Sequence, residues 1–217
     1  MRALAENSLD PPVRGFLHTP EIANGDGVIL THGAGSNANA PLLAALAQTF
    51  CDAGFFALRC DLPFRQSRSF GPPGPGDAAR DRAGLKNAAE TMKKFASGRN
   101  FLGGHSYGGR QASMLCAEVP AVAAGLLLLS YPLHPPRKPE QLRTQHFTNL
   151  HIPILFVQGT RDPFASIAEI EQAIKSIPGK TKLLSIDGAG HDLGFKEKAK
   201  RQDLPTEILQ EFRRFFE

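Results

Sequence analysis

The sequence predicts an α/β fold, a mostly parallel β-sheet covered by helices on both faces. Three observations carry that prediction. Strand-like apolar runs alternate with amphipathic stretches along the chain, as they do where parallel strands are joined through helices. Several runs, "GVILTHG" (27–33), "AGLLLLSYPL" (124–133) and "IPILFVQGTRD" (152–162), are apolar at consecutive positions. Strands buried on both faces need that pattern. The composition, 41% hydrophobic and 21% charged over 217 residues, is that of an ordinary globular chain, and it suits a single domain, 1–217.

The elements follow in order. The run 27–33 is a buried strand ending in a turn, and "APLLAALAQTFCDAG" (40–54) is a helix stopped by Gly54. "FFALRCDL" (55–62) is a second strand. "PFRQSRSFGPPGPGD" (63–77) has no period and reads as a loop dense in Pro and Gly. A helix occupies 77–96, a short strand Asn100–Gly103 and a helix Gly109–Glu118. Strands 124–133, 152–162 and 180–191 follow, and the amphipathic "PTEILQEFRRFFE" (205–217) is a closing helix. The loops at 63–77 and 133–151 read as insertions, and no internal repeat or linker divides the chain.

Charge and cysteines narrow the function classes. The net charge of +4 is mild, and Lys and Arg are scattered apart from a cluster at Lys196–Arg201, so no nucleic-acid partner is expected. Cys51, Cys60 and Cys116 form neither a disulfide framework nor a C-x-x-C pair. The opening "MRALAENSLDPPVRG" lacks an apolar signal core, and no apolar run reaches the ~18 residues of a membrane span. A cytoplasmic location and no membrane partner are expected.

The chemistry concentrates in "NFLGGHSYGGRQASML" (100–115), where Gly103, Gly104, Gly108 and Gly109 crowd one serine. Gly104-His105-Ser106-Tyr107-Gly108 is G-x-S-x-G, with a strand before it and a helix after it. That is the context of a nucleophile elbow, a strained turn that projects a serine hydroxyl beyond the sheet. Glycines stand two residues either side because side chains there would meet backbone. The plain alternative is a Gly-rich turn in which Ser106 caps the helix.

A serine hydroxyl needs a base, and the base needs an acid to orient it. Asp162 closes one later strand and His191 the next, in the chain order serine, acid, histidine. Asp162 could otherwise cap a following helix, and Asp187 and Asp192 are rival acids. His18, His134, His146 and His151 read as solvated, and His105 as a packing residue. Oxyanion donors are expected from the backbone N–H groups of Tyr107 and of Ala34 in "THGAGSN", with His32 hydrogen-bonded inside that loop. Acidification should lower the rate as the base protonates.

On "THGAG", "GGHSYGG", "GTRD" and "GAGH" the chain resembles a serine hydrolase of the α/β-hydrolase superfamily. It looks closest to compact dienelactone-hydrolase-like proteins. "RCDLPFRQSRSFGPPGPGD" with "GGHSYGGRQASM" is similar to the branch containing the hydrolase-like domain of non-specific lethal complex subunit 3. The resemblance implies an α/β-hydrolase fold, an eight-stranded, mainly parallel sheet, and esterase chemistry with Ser106, Asp162 and His191 as the triad. Two features depart from it. Dienelactone hydrolases use a cysteine nucleophile, so their substrate does not carry over, and the stretch 133–151 is too short for a separate lid domain.

The expected activity is therefore cleavage of small-molecule carboxylic esters or thioesters through an acyl-enzyme, with no metal or organic cofactor. Phe64, Arg65, Arg68, Tyr131 and Phe164 are candidate substrate-binding residues, with Arg65 and Arg68 favouring an anionic substrate or else lying on a solvated loop. A catalytically silent fold used as a scaffold is the alternative. A minor one is a dinucleotide-dependent oxidoreductase, from "GAGSNA" (33–38) as G-x-G-x-x-A with Asp61 toward a ribose.

Overall fold

In the computed structural model, which describes residues 1–195 and 202–217, the sheet lies between two separate cores. β3 (Gly27–Thr31) is buried at all five positions. Its side chains alternate between the two faces, as a strand's must. Val28 and Leu30 face one core with Leu43, Leu46 and Phe50 of α1 (Pro41–Asp52) and Ile208 and Phe212 of α6 (Leu204–Phe216). Ile29 faces the other, with Leu85 and Met92 of α3 (Asp77–Met92) and Ala112 and Leu115 of α4 (Tyr107–Glu118). Consecutive apolar residues are thus needed because both faces are covered.

The same alternation runs through β5 (Asn100–His105), β6 (Gly125–Leu129) and β7 (Ile154–Gly159). With β1 (Arg2–Glu6), β2 (Val13–His18), β4 (Phe56–Cys60) and β8 (Thr181–Ile186), the sheet has eight strands in the order β1-β2-β4-β3-β5-β6-β7-β8. Pairing is parallel from β4 through β8, and β2 runs antiparallel to both its neighbours. The chain moves outward from β3 to β4, then returns past β3 to β5. That reversal opens a crevice at the C-terminal ends of β3 and β5.

Several boundaries differ from the sequence reading, for physical reasons. The apolar runs 124–133, 152–162 and 180–191 outlast their strands, which end at Leu129, Gly159 and Ile186. Their last residues turn away to build the loops at the sheet's edge. α4 begins at Tyr107, directly after Ser106, rather than at Gly109. The loop 63–77 contains a short helix, α2 (Pro63–Ser67), with Pro63 at its first turn. α5 (Ile167–Ile174) carries a capping box between Ser166 and Glu169, a signal present in "SIAE".

Two expected solvated histidines are buried. His18 accepts a hydrogen bond from Arg59 Nε at 3.1 Å, and His134 lies 3.5 Å from Glu169. His146 is half-buried against Ser113 Oγ at 2.8 Å, and His151 is exposed. The stretch 133–151 holds one 3-10 turn, Phe147–Asn149, whose Phe147 is buried in the core. The Lys196–Arg201 cluster lies outside the described residues. Among the described residues no helix is long and apolar enough to cross a membrane.

Candidate active site

Ser106 joins β5 to α4 with φ 52° and ψ −117°. A side chain held at positive φ stores about 1–3 kcal/mol of strain. Neighbours hold it there: its N–H donates to Leu129 O at 2.8 Å, and its carbonyl accepts from Arg110 N at 3.0 Å. The crowded glycines have a different cause, which is contact. A Cβ on Gly104 would lie 2.6 Å from Thr31 O, and one on Gly108 2.5 Å from His32 O. Gly103 and Gly109 are pressed as closely, on Leu127 O and Gly104 O. β3, β5 and α4 approach each other only because Gly104, Gly108 and Gly109 carry no side chain, and Gly103 does the same for β5 against β6.

The loops after β7 and β8 bring the other two residues to the serine. His191 Nε2 is 2.8 Å from Ser106 Oγ, and His191 Nδ1 is 2.8 and 3.0 Å from the two oxygens of Asp162. Gly159 makes the approach possible, because a Cβ there would meet Ala189 O at 2.3 Å. Arg161 N donates to that same carbonyl at 2.9 Å. The Asp162 side chain is fully buried and accepts two more bonds, from Gln158 Nε2 and Phe164 N, each 2.9 Å. With three donors around the carboxylate, Nδ1 carries the imidazole proton and Nε2 turns its lone pair to the serine.

The rival acids are engaged elsewhere. Asp187 meets Thr160 Oγ1 at 3.4 Å, and Asp192 accepts from Gly194 N at 3.0 Å. His105 is packed as expected: its Nε2 donates to the His191 carbonyl at 2.7 Å, and burial holds its pKa down at about 4. The Phe164 ring lies against the His191 imidazole, centroids 4.2 Å apart. Gln158 is the residue the sequence did not reveal, a polar side chain hidden inside the apolar run of β7.

The loop after β3 forms the opposite wall. His32 is buried, donating from Nδ1 to Gly33 O at 2.9 Å and accepting Leu62 N at Nε2, 3.1 Å. Asp61 comes within 3.6 Å of the same Nε2, but that nitrogen already accepts a proton donor, so the ring is neutral. Burial, which lowers the His32 pKa, agrees. The Gly33 carbonyl also accepts Ser36 N at 3.1 Å. Because the peptide is planar and trans, fixing that carbonyl turns the Ala34 N–H the opposite way. A Cβ built on Gly33 would lie 3.5 Å from Ser106 Cβ, so this loop borders the serine directly. The Tyr107 N–H, first in α4, has no partner within the helix.

A cleft of about 1010 Å³ opens over Ser106 and His191. Its apolar lining includes Ala40, Pro41, Leu42, Leu43, Phe164 and Phe195. Of the five candidate substrate-binding residues only Phe164 is there. Phe64 is buried edge-on between His32 and Tyr107, and Tyr131 is buried against Phe147 and Phe156, its hydroxyl donating to Arg143 O. Arg68 pairs with Asp77, and Arg65 is buried among backbone carbonyls. The two arginines therefore do not form the cleft mouth. Nor is "GAGSNA" arranged for a ribose, since Asp61 Oδ1 holds the Ala38 amide at 2.7 Å. Among the described residues no cluster of His, Cys, Asp and Glu is placed to hold a metal.

Over residues 24–216 the chain matches the α/β hydrolase domain family. It belongs to that family. Solved structures of similar shape include the dienelactone hydrolase of Anabaena variabilis, 20% identical over 99% of this chain and 95% of that one, with a TM-score of 0.75. An α-β serine hydrolase homologue from Coxiella burnetii is 15% identical over 97% and 96%, also with a TM-score of 0.75. XC6422 of Xanthomonas campestris, described as a serine hydrolase without lid, is 15% identical over 98% and 94%, with a TM-score of 0.71. The α/β hydrolase fold is thus established, while the finer likeness to the non-specific lethal complex branch rests on sequence motifs alone.

Buried histidines give this α/β hydrolase domain a pH-dependent stability. His18, His32, His105 and His146 are all held below the ordinary 6.5, each first by burial, and His105 and His146 reach about 4. At His105 and His146 the unfolded chain takes up its protons near pH 6.5 and the native chain only near 4. Stability is therefore complete above pH 6.5 and falls as pH drops from 6.5 toward 4. We expect the urea midpoint to fall across that interval and His146→Gln to make the fall shallower. An equal slope in that variant would remove His146 from the account.

Proposed function

We propose that the protein is a serine hydrolase that cleaves carboxylic esters or thioesters through an acyl-enzyme. The observation that carries this reading is the unbroken contact chain from Ser106 Oγ through His191 to Asp162, 2.8 Å at each step. Ser106 Oγ attacks the substrate carbonyl carbon while its proton passes to His191 Nε2. The tetrahedral oxyanion accepts the Ala34 and Tyr107 amides, each such donor contributing about 2.7–4 kcal/mol. Collapse expels the alcohol or thiol, which takes the proton from His191. Water then repeats the sequence on the acyl-enzyme, releasing the acid and restoring the serine. Asp162 stays ionised throughout and stabilises the imidazolium.

The alcohol and acyl groups would occupy the apolar cleft, with Phe164 as one wall. The cysteines are free and buried, which suits the reducing cytoplasm we assign to the protein. The test is intact-protein mass after exposure to a fluorophosphonate. One adduct on the wild type, absent over the same time from His191→Ala, is the expected result. A folded wild type that takes no adduct would overturn the reading and leave the fold as a binding scaffold.

A further inference from the structure

Arg65 is a charged side chain in an unusual place. Only 7% of it is exposed, and among the described residues no carboxylate bonds to its guanidinium. Instead Nε donates to Ser36 O at 2.8 Å, Nη2 to Ala34 O at 3.0 Å and Gly71 O at 2.8 Å, and Nη1 to Arg68 O at 3.3 Å. The fork also lies over the Phe64 ring, 4.9 Å from its centroid. Burying a cation is costly unless its donors are used, and here the acceptors are loop carbonyls that no regular structure satisfies. Two of them, Ala34 O and Ser36 O, belong to the loop that carries the Ala34 amide.

We propose that Arg65 is the positioning residue of the oxyanion site, holding the Ala34–Ser36 loop so that the Ala34 N–H faces Ser106. The proposal rests on the hydrolase reading above. Gly33 O is held from one side by His32 Nδ1 and Ser36 N, and Arg65 holds the next carbonyls from the other. The amide between them is fixed without its own N–H being consumed. Lysine cannot replace the fork: a compact ammonium reaches one or two of these carbonyls, where the planar guanidinium bridges all four. Because the Ala34 amide acts on charge that develops only in the transition state, its misplacement acts on kcat and spares ground-state binding.

The experiment compares wild type, Arg65→Lys and Arg65→Ala on p-nitrophenyl butyrate, with an alkyl trifluoromethyl ketone as inhibitor. That ketone adds to the serine and leaves an oxyanion where the reaction would. In Arg65→Lys we expect kcat to fall about 10–100-fold, KM to stay within about threefold, and the ketone's inhibition constant to rise in step with the loss of kcat. The pH–rate profile should keep its shape, since the His191–Asp162 contacts are untouched. Free guanidinium at non-denaturing concentration should return part of the rate to Arg65→Ala. Wild-type kcat and ketone affinity in a folded Arg65→Lys, or a loss borne by KM alone, would overturn the role. If Arg65→Ala melts below the assay temperature, the Arg65→Lys constants decide alone. Absence of wild-type turnover together with absence of a fluorophosphonate adduct would instead sink the hydrolase reading itself.

Discussion

Ser106→Ala will keep the fold and lose ester turnover by on the order of 10⁶-fold. The residue sits at φ 52° between two elements whose contacts do not involve its hydroxyl, since its N–H and carbonyl are bonded to Leu129 and Arg110. Removing Oγ breaks one bond, to His191 Nε2, and leaves the turn in place. What remains is catalysis by the oxyanion donors and by binding, about 10³–10⁴-fold over water. Ser106→Gly will be as inactive but more stable than Ser106→Ala, by about 1 kcal/mol, because glycine occupies this backbone conformation without a Cβ penalty. Equilibrium unfolding of the two variants, beside kcat on p-nitrophenyl butyrate, checks both halves. Equal stability would mean the turn stores no strain, and substantial activity in Ser106→Ala would place the nucleophile elsewhere.

What the sequence disclosed depended on how local the cause was. The elbow was legible because a serine held against β3 and α4 demands glycines at fixed offsets, and those offsets are written in consecutive residues. Asp162 and His191 were legible because each ends a long apolar run. The strands β1 and β2 were not read from the residues: β1 is mostly exposed and β2 only half apolar, so neither repeats the buried pattern. The resemblance implied eight strands in all but did not place these two. Arg65 was misread for a related reason. An arginine in a Pro- and Gly-rich stretch looks solvated, and its acceptors Ala34 and Ser36 lie 31 and 29 residues away. Phe64 and Tyr131 follow strand ends as cleft residues would, but their rings turn inward to the core. Gln158 gave no signal because one polar residue in a buried strand has no pattern of its own; only its bond to Asp162 explains it.

That bond shapes the second large effect. Asp162→Asn will lower kcat by on the order of 10⁴-fold while leaving stability within about 1 kcal/mol of wild type. The carboxylate faces three donors, His191 Nδ1–H, Gln158 Nε2–H and Phe164 N–H. An asparagine has one acceptor for them. Its oxygen is claimed by the Phe164 amide, which is fixed in the backbone, so its NH₂ falls at the position of Oδ2. Gln158 can adapt, because its Oε1 has no partner among the described residues and a half-turn of the amide presents that oxygen to the new donor. The number of buried unpaired groups is then unchanged, because the Gln158 NH₂ takes the unpartnered place that its Oε1 held. His191 can adapt only by giving up the Nδ1 proton and carrying it on Nε2, where it points at Ser106 Oγ and can no longer accept the serine's proton. Activity is lost through the tautomer while the side chains stay in place. Kinetics and urea unfolding on one preparation separate the two quantities. A loss of activity under tenfold would remove Asp162 as the orienting acid. A large loss of stability would show that Gln158 does not turn, and Asp162→Asn with Gln158→Glu, which offers an acceptor without turning, would then recover the fold but not the rate.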